Sequence, residues 1–593
     1  MTKIYKATFL AALMMVCCCL SAQILSYDFE QCNVGDKVAE TLGEPWTTWN
    51  QNPGSAEDAI VSDEYCQGTR ALKIDNGNDV VLRLGDKTTG AYAISLDIYI
   101  PEGKEAYFNI LHQFAGSNSV WATQVWLKSE TYGNRVQHVS GDFDVPYDEW
   151  FNVSFDIYLD DALACVKING NIIGAWDYSS YTVAKYCGIA AMDFCPISSD
   201  EDRNGFFVDN ITMSEITGPF SLNLIPELES VEVVMDIDQN DTLRTQFTNT
   251  GNRIANYRTW IDYGVGDEGG PETTLHHDTE PSYCYGNYND NPYIEIGSQF
   301  FINYLSDNDF MGKRIMKMQY FVPYTASYGC EGPLTFRIYR FFGKELLAEK
   351  TLDTYTANAW NTVEFDEPIP LSGYDIFATV GFQQVNNGYP ISLDSGPALS
   401  YIADLVRLNG DGWFSLNQTS IYYGGQEWGN HNIRLICEGQ AVESNWVKQI
   451  WIQSGNYPGY LCPGQDRDVD LAFDSNGLAY GVYEANLKIA TINAYDNIEI
   501  SVPIRLSVSG TGVDESMGSN CRIYPNPTNG QVRIEAEGLK HIIISNMLGQ
   551  QIFNGSANGD AFEYDFGKHG AGLYLVSIET ANGVAVKKVS VVK

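Results

Sequence analysis

The chain has 593 residues, of which 13% are aromatic, with 37 Tyr and 54 Gly, and its formal net charge is −39. That length calls for several domains, each able to bury a core, and the composition favours short β-strands over long helices. The acidic balance repels nucleic acid and anionic membrane, which excludes phosphate-driven binding, whereas it suits solubility at a cell surface and carboxylate sites for Ca²⁺.

At the N-terminus, Lys3 and Lys6 precede an apolar run from Ala7 to Leu20 that ends in Leu20-Ser21-Ala22-Gln23. This is the pattern of a secretory signal peptide, residues 1–22, cut after Ala22. Cys17, Cys18 and Cys19 open a lipoprotein alternative, but Val16 stands where a small residue should precede a lipidated Cys. No other run approaches the roughly 18 apolar residues of a transmembrane helix. Ten cysteines remain after residue 22. An even count in an oxidising compartment points to disulfides, with Cys187–Cys195 and Cys32–Cys66 as local candidates.

Residues 24–217 alternate apolar and polar positions over 72–74, 80–84, 92–100, 107–111, 149–159, 164–176 and 205–211. Such period-2 runs read as half-buried strands of one sandwich. The Trp150 strand, the Asp160-Asp161 turn, the hairpin Val166-Lys167-Ile168-Asn169-Gly170 and the closing Phe207-Val208-Asp209-Asn210-Ile211 resemble the concanavalin/laminin-G-like jelly rolls. The resemblance implies glycan or protein binding at the loops or concave face, often with Ca²⁺, and in some members glycoside hydrolysis. Hydrolases of this fold carry a Glu-x-Asp-x-x-Glu strand, which sets two carboxylates on one face. The two Glu-x-Asp triplets here, Glu364-Phe365-Asp366 and Glu563-Tyr564-Asp565, lie elsewhere, and Ile369 and Lys568 replace the last acid. Hydrolysis by that route is not expected.

Asp200-Glu201-Asp202-Arg203-Asn204-Gly205 matches the first half of a Ca²⁺ loop, in which carboxylates two apart converge and Gly makes the turn. Ile211 stands where the closing acid belongs, with Asp209 close by; a polar hairpin is the alternative reading. In the jelly rolls that this stretch resembles, a final-strand Asp often shares Ca²⁺ with the first strand, which here names Asp28, Glu30 and Asp209. A structural Ca²⁺ is the only cofactor expected. For a glycan, ring faces that stack on sugar C–H groups are the usual platform, and Trp46 with Trp49, or Trp121 with Trp126, are the candidates. Core placement is the expectation for Trp150 and Trp176.

Residues 218–270 and 441–510 each hold too few strands for a closed sandwich. Thr248-Asn249-Thr250-Gly251, Pro463-Gly464-Gln465, Gly481-Val482-Tyr483 and Val502-Pro503-Ile504 resemble an Ig-like spacer module of Bacteroidetes surface proteins. The two halves are therefore expected to join, with 271–440 inserted as a jelly-roll-like module. Within the insert, Tyr283, Tyr285, Tyr288 and Tyr293 crowd a Gly/Asn-rich loop of the kind that suits adaptable recognition. His276-His277-Asp278 does not form a metal set, because neighbours on a strand point to opposite faces. No Gly-x-Ser-x-Gly, His-Glu-x-x-His or phosphate-loop pattern occurs.

After a linker at 511–520, residues 521–593 carry seven Lys/Arg against six Asp/Glu, so nearly all the acidity lies upstream. Tyr524-Pro525-Asn526-Pro527, the turn at Met547-Leu548-Gly549-Gln550, Ala571-Gly572-Leu573-Tyr574-Leu575-Val576 and the finish Lys587-Lys588-Val589-Ser590-Val591-Val592-Lys593 resemble the C-terminal sorting domain of the type IX secretion system of Bacteroidetes. His569-Gly570 departs from the usual Leu-Pro. The resemblance implies an address, with the outer-membrane translocon and its sortase as partners.

The expectation is an all-β chain of several β-sandwich domains, jelly-roll and Ig-like, in series. Its expected role is non-enzymatic, binding a glycan or an extracellular protein. A surface glycan hydrolase or lyase, and a structural surface-layer component, are the alternatives.

Overall fold

The computed structural model describes residues 23–139, 142–179, 187–286, 290–323, 330–340, 345–450, 459–493, 497–508, 521–546, 550–580 and 583–592. The signal peptide, the 511–520 linker, Tyr288 and Gly549 lie outside them. The chain is mostly strand, in many separate sheets. It divides into two compact units, one holding residues up to 230, 243–471 and 485–503, the other holding 231–242, 472–484 and 504 onward.

The larger unit opens with a two-sheet sandwich. One sheet runs Asn171–Asp177, Leu163–Ile168, Trp150–Tyr158, Ala91–Tyr99, Phe206–Glu215, Ala71–Ile74, Ile60–Ser62, with Gln23–Tyr27 also on Phe206–Glu215. The other runs Trp46–Thr48, Val80–Lys87, Ile189–Phe194, Ala106–Gln113, Val120–Ser129, Gly133–Val136. Alternate residues such as Leu82, Phe108 and Met192 meet Leu96, Val153 and Phe155 in one core, each contributing about 1.5–3 kcal/mol by leaving water. Asn169 and Gly170 both adopt positive φ between Ile168 and its partner Asn171. That is the two-residue turn whose twist matches a hairpin.

Downstream in the same unit, 224–226 pairs with 247–249, and 255–262 pairs with 459–461 and 486–491. Segments on either side of 271–440 thus share sheets. Residues between them form a second sandwich, with one sheet of Thr273–His276, Ile433–Glu438, Arg314–Val322 and Ala359–Pro370. The facing sheet has Tyr293–Phe300 and Ile376–Gln384 near its middle. Buried Glu295 is held there by Arg337, Arg407 and the Thr379 hydroxyl, so its charge is fully paired.

In the smaller unit, Val231–Met235 runs parallel to residues 504–508. Beyond the linker, Gln531–Asn546 pairs with Arg522–Tyr524, Gln551–Asp565 and Gly572–Thr580, and the last of these pairs with Gly583–Val591. Ile534, Ile542, Ile544, Val576, Ile578 and Val589 form the core.

The two expected local disulfides are not formed. The Cys187 thiol is directed at Leu159 O (3.8 Å), and the Cys195 thiol at Asp193 Oδ2 (3.7 Å). Cys32 packs in the sandwich core, whereas Cys66 sits beside Asp97 and Asp209, and burial with those two charges pushes its thiol up to about 12.

Candidate ligand-binding face

Period-2 alternation that fills the core with Leu82, Phe108, Ile110 and Met192 sends the intervening side chains to the opposite face of the six-stranded sheet. There Val81, Leu111 and Ala191 support Trp49 and Phe114. Backbone register places Asp193 beside Asn109, Asn109 beside Gln124, and Tyr107, Trp126 and Arg135 in succession.

Two aromatic groups result. Trp49 stacks on Trp121 at 5.9 Å and packs on Phe114 at 5.6 Å. Trp121 leaves 44% of its surface exposed, a flat ring turned toward solvent. Trp126 meets Tyr107 at 5.7 Å and exposed Tyr132 at 5.0 Å. Each group carries a guanidinium, Arg83 at 5.3 Å from the Phe114 ring and Arg135 at 5.6 Å from the Trp126 ring.

Polar side chains of this face bond across the strands. Tyr107 O–H donates to Gln124 Oε1 (2.8 Å), Gln124 Nε2 to Gln137 Oε1 (3.2 Å), and Asn109 Nδ2 to Asp193 Oδ2 (2.7 Å). Asp79 and Asp193 face each other, and their Oδ1 atoms find no N–H donor among the described residues. A proton on Asp79 satisfies both. Burial first, then the Asp193 charge and the hydrogen bond to it, push the Asp79 carboxyl up to about 8. Asp79, Asp193 and Cys195 are also the one set of three His, Cys, Asp or Glu ligand atoms that converges within 4.8 Å among the described residues.

Of the four expected tryptophans, three reach this face. Trp46 does not: it is 1% exposed, packed on Tyr27 and Phe29 in the core, because it pairs with Leu82 on an inward-facing position. Trp176 is core as expected, and Trp150 is half-buried against Tyr99.

The expected Ca²⁺ residues serve as loop clasps. Asp200 caps a short turn by accepting from Asp202 N (3.1 Å), and Asp202 presents its backbone oxygen to Lys104 Nζ (2.7 Å). Asn204 spends its amide on Asn76 and Ser198. Asp209 is fully buried and accepts from Cys66 N, Gln67 N and Asn210 N; burial raises its pKa. Asp28 accepts from Glu30 N, while Glu30 ties down Thr69 and Arg70.

Sequence reading missed Tyr107, Asn109, Asp79, Asp193, Arg83 and Arg135. Alternation in Tyr107-Phe108-Asn109-Ile110 already puts Tyr107 and Asn109 on one face; the Asp79–Asp193 meeting depends on strand order and had no local signal. Elsewhere in the larger unit, a partly open cavity of about 290 Å³ is lined by Trp260, Tyr263, Tyr374, Asp375, Lys448 and Gln449 among others. Burial raises the Asp375 carboxyl, which accepts from Ile302 N.

At the C-terminal end, Asn526 clasps the last strand: its Nδ2 donates to Lys588 O (2.7 Å) and its Oδ1 accepts from Ser590 N (2.9 Å). Pro525 and Pro527 flank it, and Tyr524 O–H donates to Glu535 (2.6 Å). Gly572 opens the strand that carries buried Tyr574, whose hydroxyl donates to Gly570 O (2.7 Å), and Lys587 and Lys588 lie on the strand beside it.

No curated protein matches the chain. Among similar solved structures are a sialidase (12% identity, 33% of this chain, 18% of that chain, TM-score 0.23) and alginate lyase Aly36B in complex with alginate trisaccharide (14%, 32%, 98%, 0.24). Another is the CBM22-1-CBM22-2 tandem domain of Paenibacillus barcinonensis Xyn10C (11%, 62%, 98%, 0.20). Residues 522–592 match the Secretion system C-terminal sorting domain. The chain therefore ends in a type IX secretion sorting domain, which exports the protein to the cell surface or the extracellular space.

Proposed function

We propose that this is a secreted or surface-held glycan-binding protein of adhesin type, with the outward face of the six-stranded sheet as its binding platform. One observation carries the reading: exposed Trp121 and Tyr132, backed by half-buried Trp49 and by buried Trp126 and Tyr107, gather on the face where Tyr107 and Gln137 fix the Gln124 amide and Asn109 bonds Asp193 beneath. Exposed rings stack on sugar C–H surfaces, and fixed polar groups orient hydroxyls. A hydrolase needs two acids on opposite sides of a scissile bond, roughly 5–10 Å apart. Asp79 and Asp193 instead face each other directly, with the Asp79 carboxyl raised first by burial and then by the Asp193 charge, which leaves no room for a scissile bond between them.

The test is a glycan and matrix-protein array probed with the full secreted protein and with Trp121→Ala, with and without EDTA, while released reducing ends are assayed in parallel. Glycan binding lost in Trp121→Ala supports the reading. Binding to proteins alone, or sugar release, overturns it. Loss with EDTA would return attention to Asp200, Asp202 and Asp209.

A further inference from the structure

Resting on that reading, we infer that the ligand is an anionic glycan, a polymer bearing carboxylate or sulfate groups, and that Arg135 is its main charge-reading residue with Arg83 in support.

The chain as a whole is strongly acidic, with 36 Lys/Arg against 75 Asp/Glu. Five of the ten described basic side chains on the first sandwich pair with a carboxylate: Lys73 with Asp75, Lys128 with Asp144, Lys167 with Asp156, Arg203 with Glu105 and Arg83 with Glu44. Lys37 and Lys104 are spent on backbone carbonyls. Arg135 is exposed and makes no ion pair among the described residues; its guanidinium lies 5.6 Å from the Trp126 ring and 6.0 Å from the Tyr132 ring. Arg83 lies 5.3 Å from Phe114, and its acidic neighbour, Glu44, is 3.8 Å away and largely exposed.

Aromatic contact holds a guanidinium in place while its N–H edge remains free to meet a carboxylate or sulfate in a two-point contact. The acids of the same face are turned inward or held: buried Asp193 accepts from Asn109 Nδ2, half-buried Asp79 faces it, and burial with the neighbouring carboxylates keeps the Cys195 thiol protonated. Glu57, near Asp79, is occupied by Asn50. Arginine held on aromatic rings, with its N–H edge open and the nearby acids turned inward, is the arrangement an anionic sugar requires. A neutral sugar needs the rings and amides alone.

Affinity of the full secreted protein is measured for polygalacturonate, chondroitin sulfate and a neutral β-glucan, with Arg135→Ala, Arg135→Lys and Trp121→Ala as variants; circular dichroism checks that each is folded. Wild type is expected to prefer at least one polyanion over the neutral polymer. Arg135→Ala should weaken that polyanion about tenfold or more, as loss of a charge-assisted pair does. Arg135→Lys should fall between, because it keeps the charge and loses the two-point geometry. Trp121→Ala should weaken every polymer that binds. Equal binding of the neutral glucan with no effect of Arg135→Ala would overturn the anionic assignment and leave the platform standing. Failure of all three polymers to bind would overturn the platform itself.

Discussion

Cys165 and Cys462 bring their thiols into hydrogen-bonding contact in a small buried cluster with Tyr158, Leu163 and Ile254. Cys165 belongs to the first sandwich and Cys462 to the downstream spacer, and both are almost wholly buried. The hydrogen bond to Cys165, and burial after it, push the Cys462 thiol well above its ordinary value. Oxidation by a disulfide-bearing oxidoreductase outside the cytoplasm removes two electrons and two protons and joins them. A non-reducing peptide map of exported protein should therefore contain a Cys165–Cys462 cross-linked peptide, while Cys187 and Cys195 stay alkylatable after denaturation. Reduction, or Cys462→Ser, should cost about 2–4 kcal/mol of stability. Full alkylation of both cysteines in unreduced protein would refute the expectation.

A second prediction follows from the carboxyl pair on the sheet face. Asp79 has its carboxyl raised to about 8, with Asp193 as the facing charge, Glu57 beyond it, and Asn109 and Cys195 bonding Asp193. A raised acid favours the protonated native state. Its stabilising effect is complete below the unfolded value near 4 and is lost as pH rises toward about 8. Asp79→Asn keeps a donor for Asp193 and removes the titration. Its melting temperature should match wild type near pH 4 and exceed it increasingly as pH rises toward about 8. Parallel wild-type and variant curves from pH 5 to 9 would refute the shared proton.

Much of this was legible in the sequence, and the parts that were not share a cause. Alternation over 92–100 and 107–111, the Asn169-Gly170 turn and the Tyr524-Pro525-Asn526-Pro527 segment are local signals, and they produced strands, a hairpin and a sorting domain. Trp46 was misjudged because its face depends on where a three-residue strand sits against Leu82, which no local pattern states. Asp79 and Asp193 meet because Ile189–Phe194 inserts between Val80–Lys87 and Ala106–Gln113. Sheet order of that kind is not written in alternation. The acidic loop at Asp200 uses residues that Asx-rich turns and Ca²⁺ loops share, so pattern alone does not separate the two; Asp200 Oδ1 and Asn204 Oδ1 accept from the backbone N–H groups of Asp202 and Ser198.

Trp46 and Trp121, one from each of the two candidate pairs in the sequence, should separate cleanly by experiment. Trp46→Ala removes a core ring and should cost about 3–5 kcal/mol, seen as a large fall in denaturation midpoint. Trp121→Ala removes a half-exposed ring and should change stability by no more than about 0.5 kcal/mol, while lowering glycan affinity. A strongly destabilised Trp121→Ala would make that ring a structural element and take away its role as a platform.

Asn526 offers the sharpest test of how the sorting domain is held. Its amide makes both a donated bond to Lys588 O and an accepted bond from Ser590 N, while Thr528 N and O bond to Ser590 O and Val592 N. The Pro525-Asn526-Pro527 turn is thereby stitched to the final strand, which otherwise pairs with Gly572–Thr580. Asn526→Asp keeps the acceptor and turns the donor into a second acceptor facing Lys588 O; Asn526→Ala loses both. Each lost bond should cost about 1 kcal/mol, and the repulsion in Asn526→Asp somewhat more. Both variants should loosen the last strand, detected as faster amide exchange at Ser590, and both should lower the fraction of protein exported. Normal export despite a loosened strand would show that the translocon reads the surface of this domain and not the clasp that Asn526 maintains.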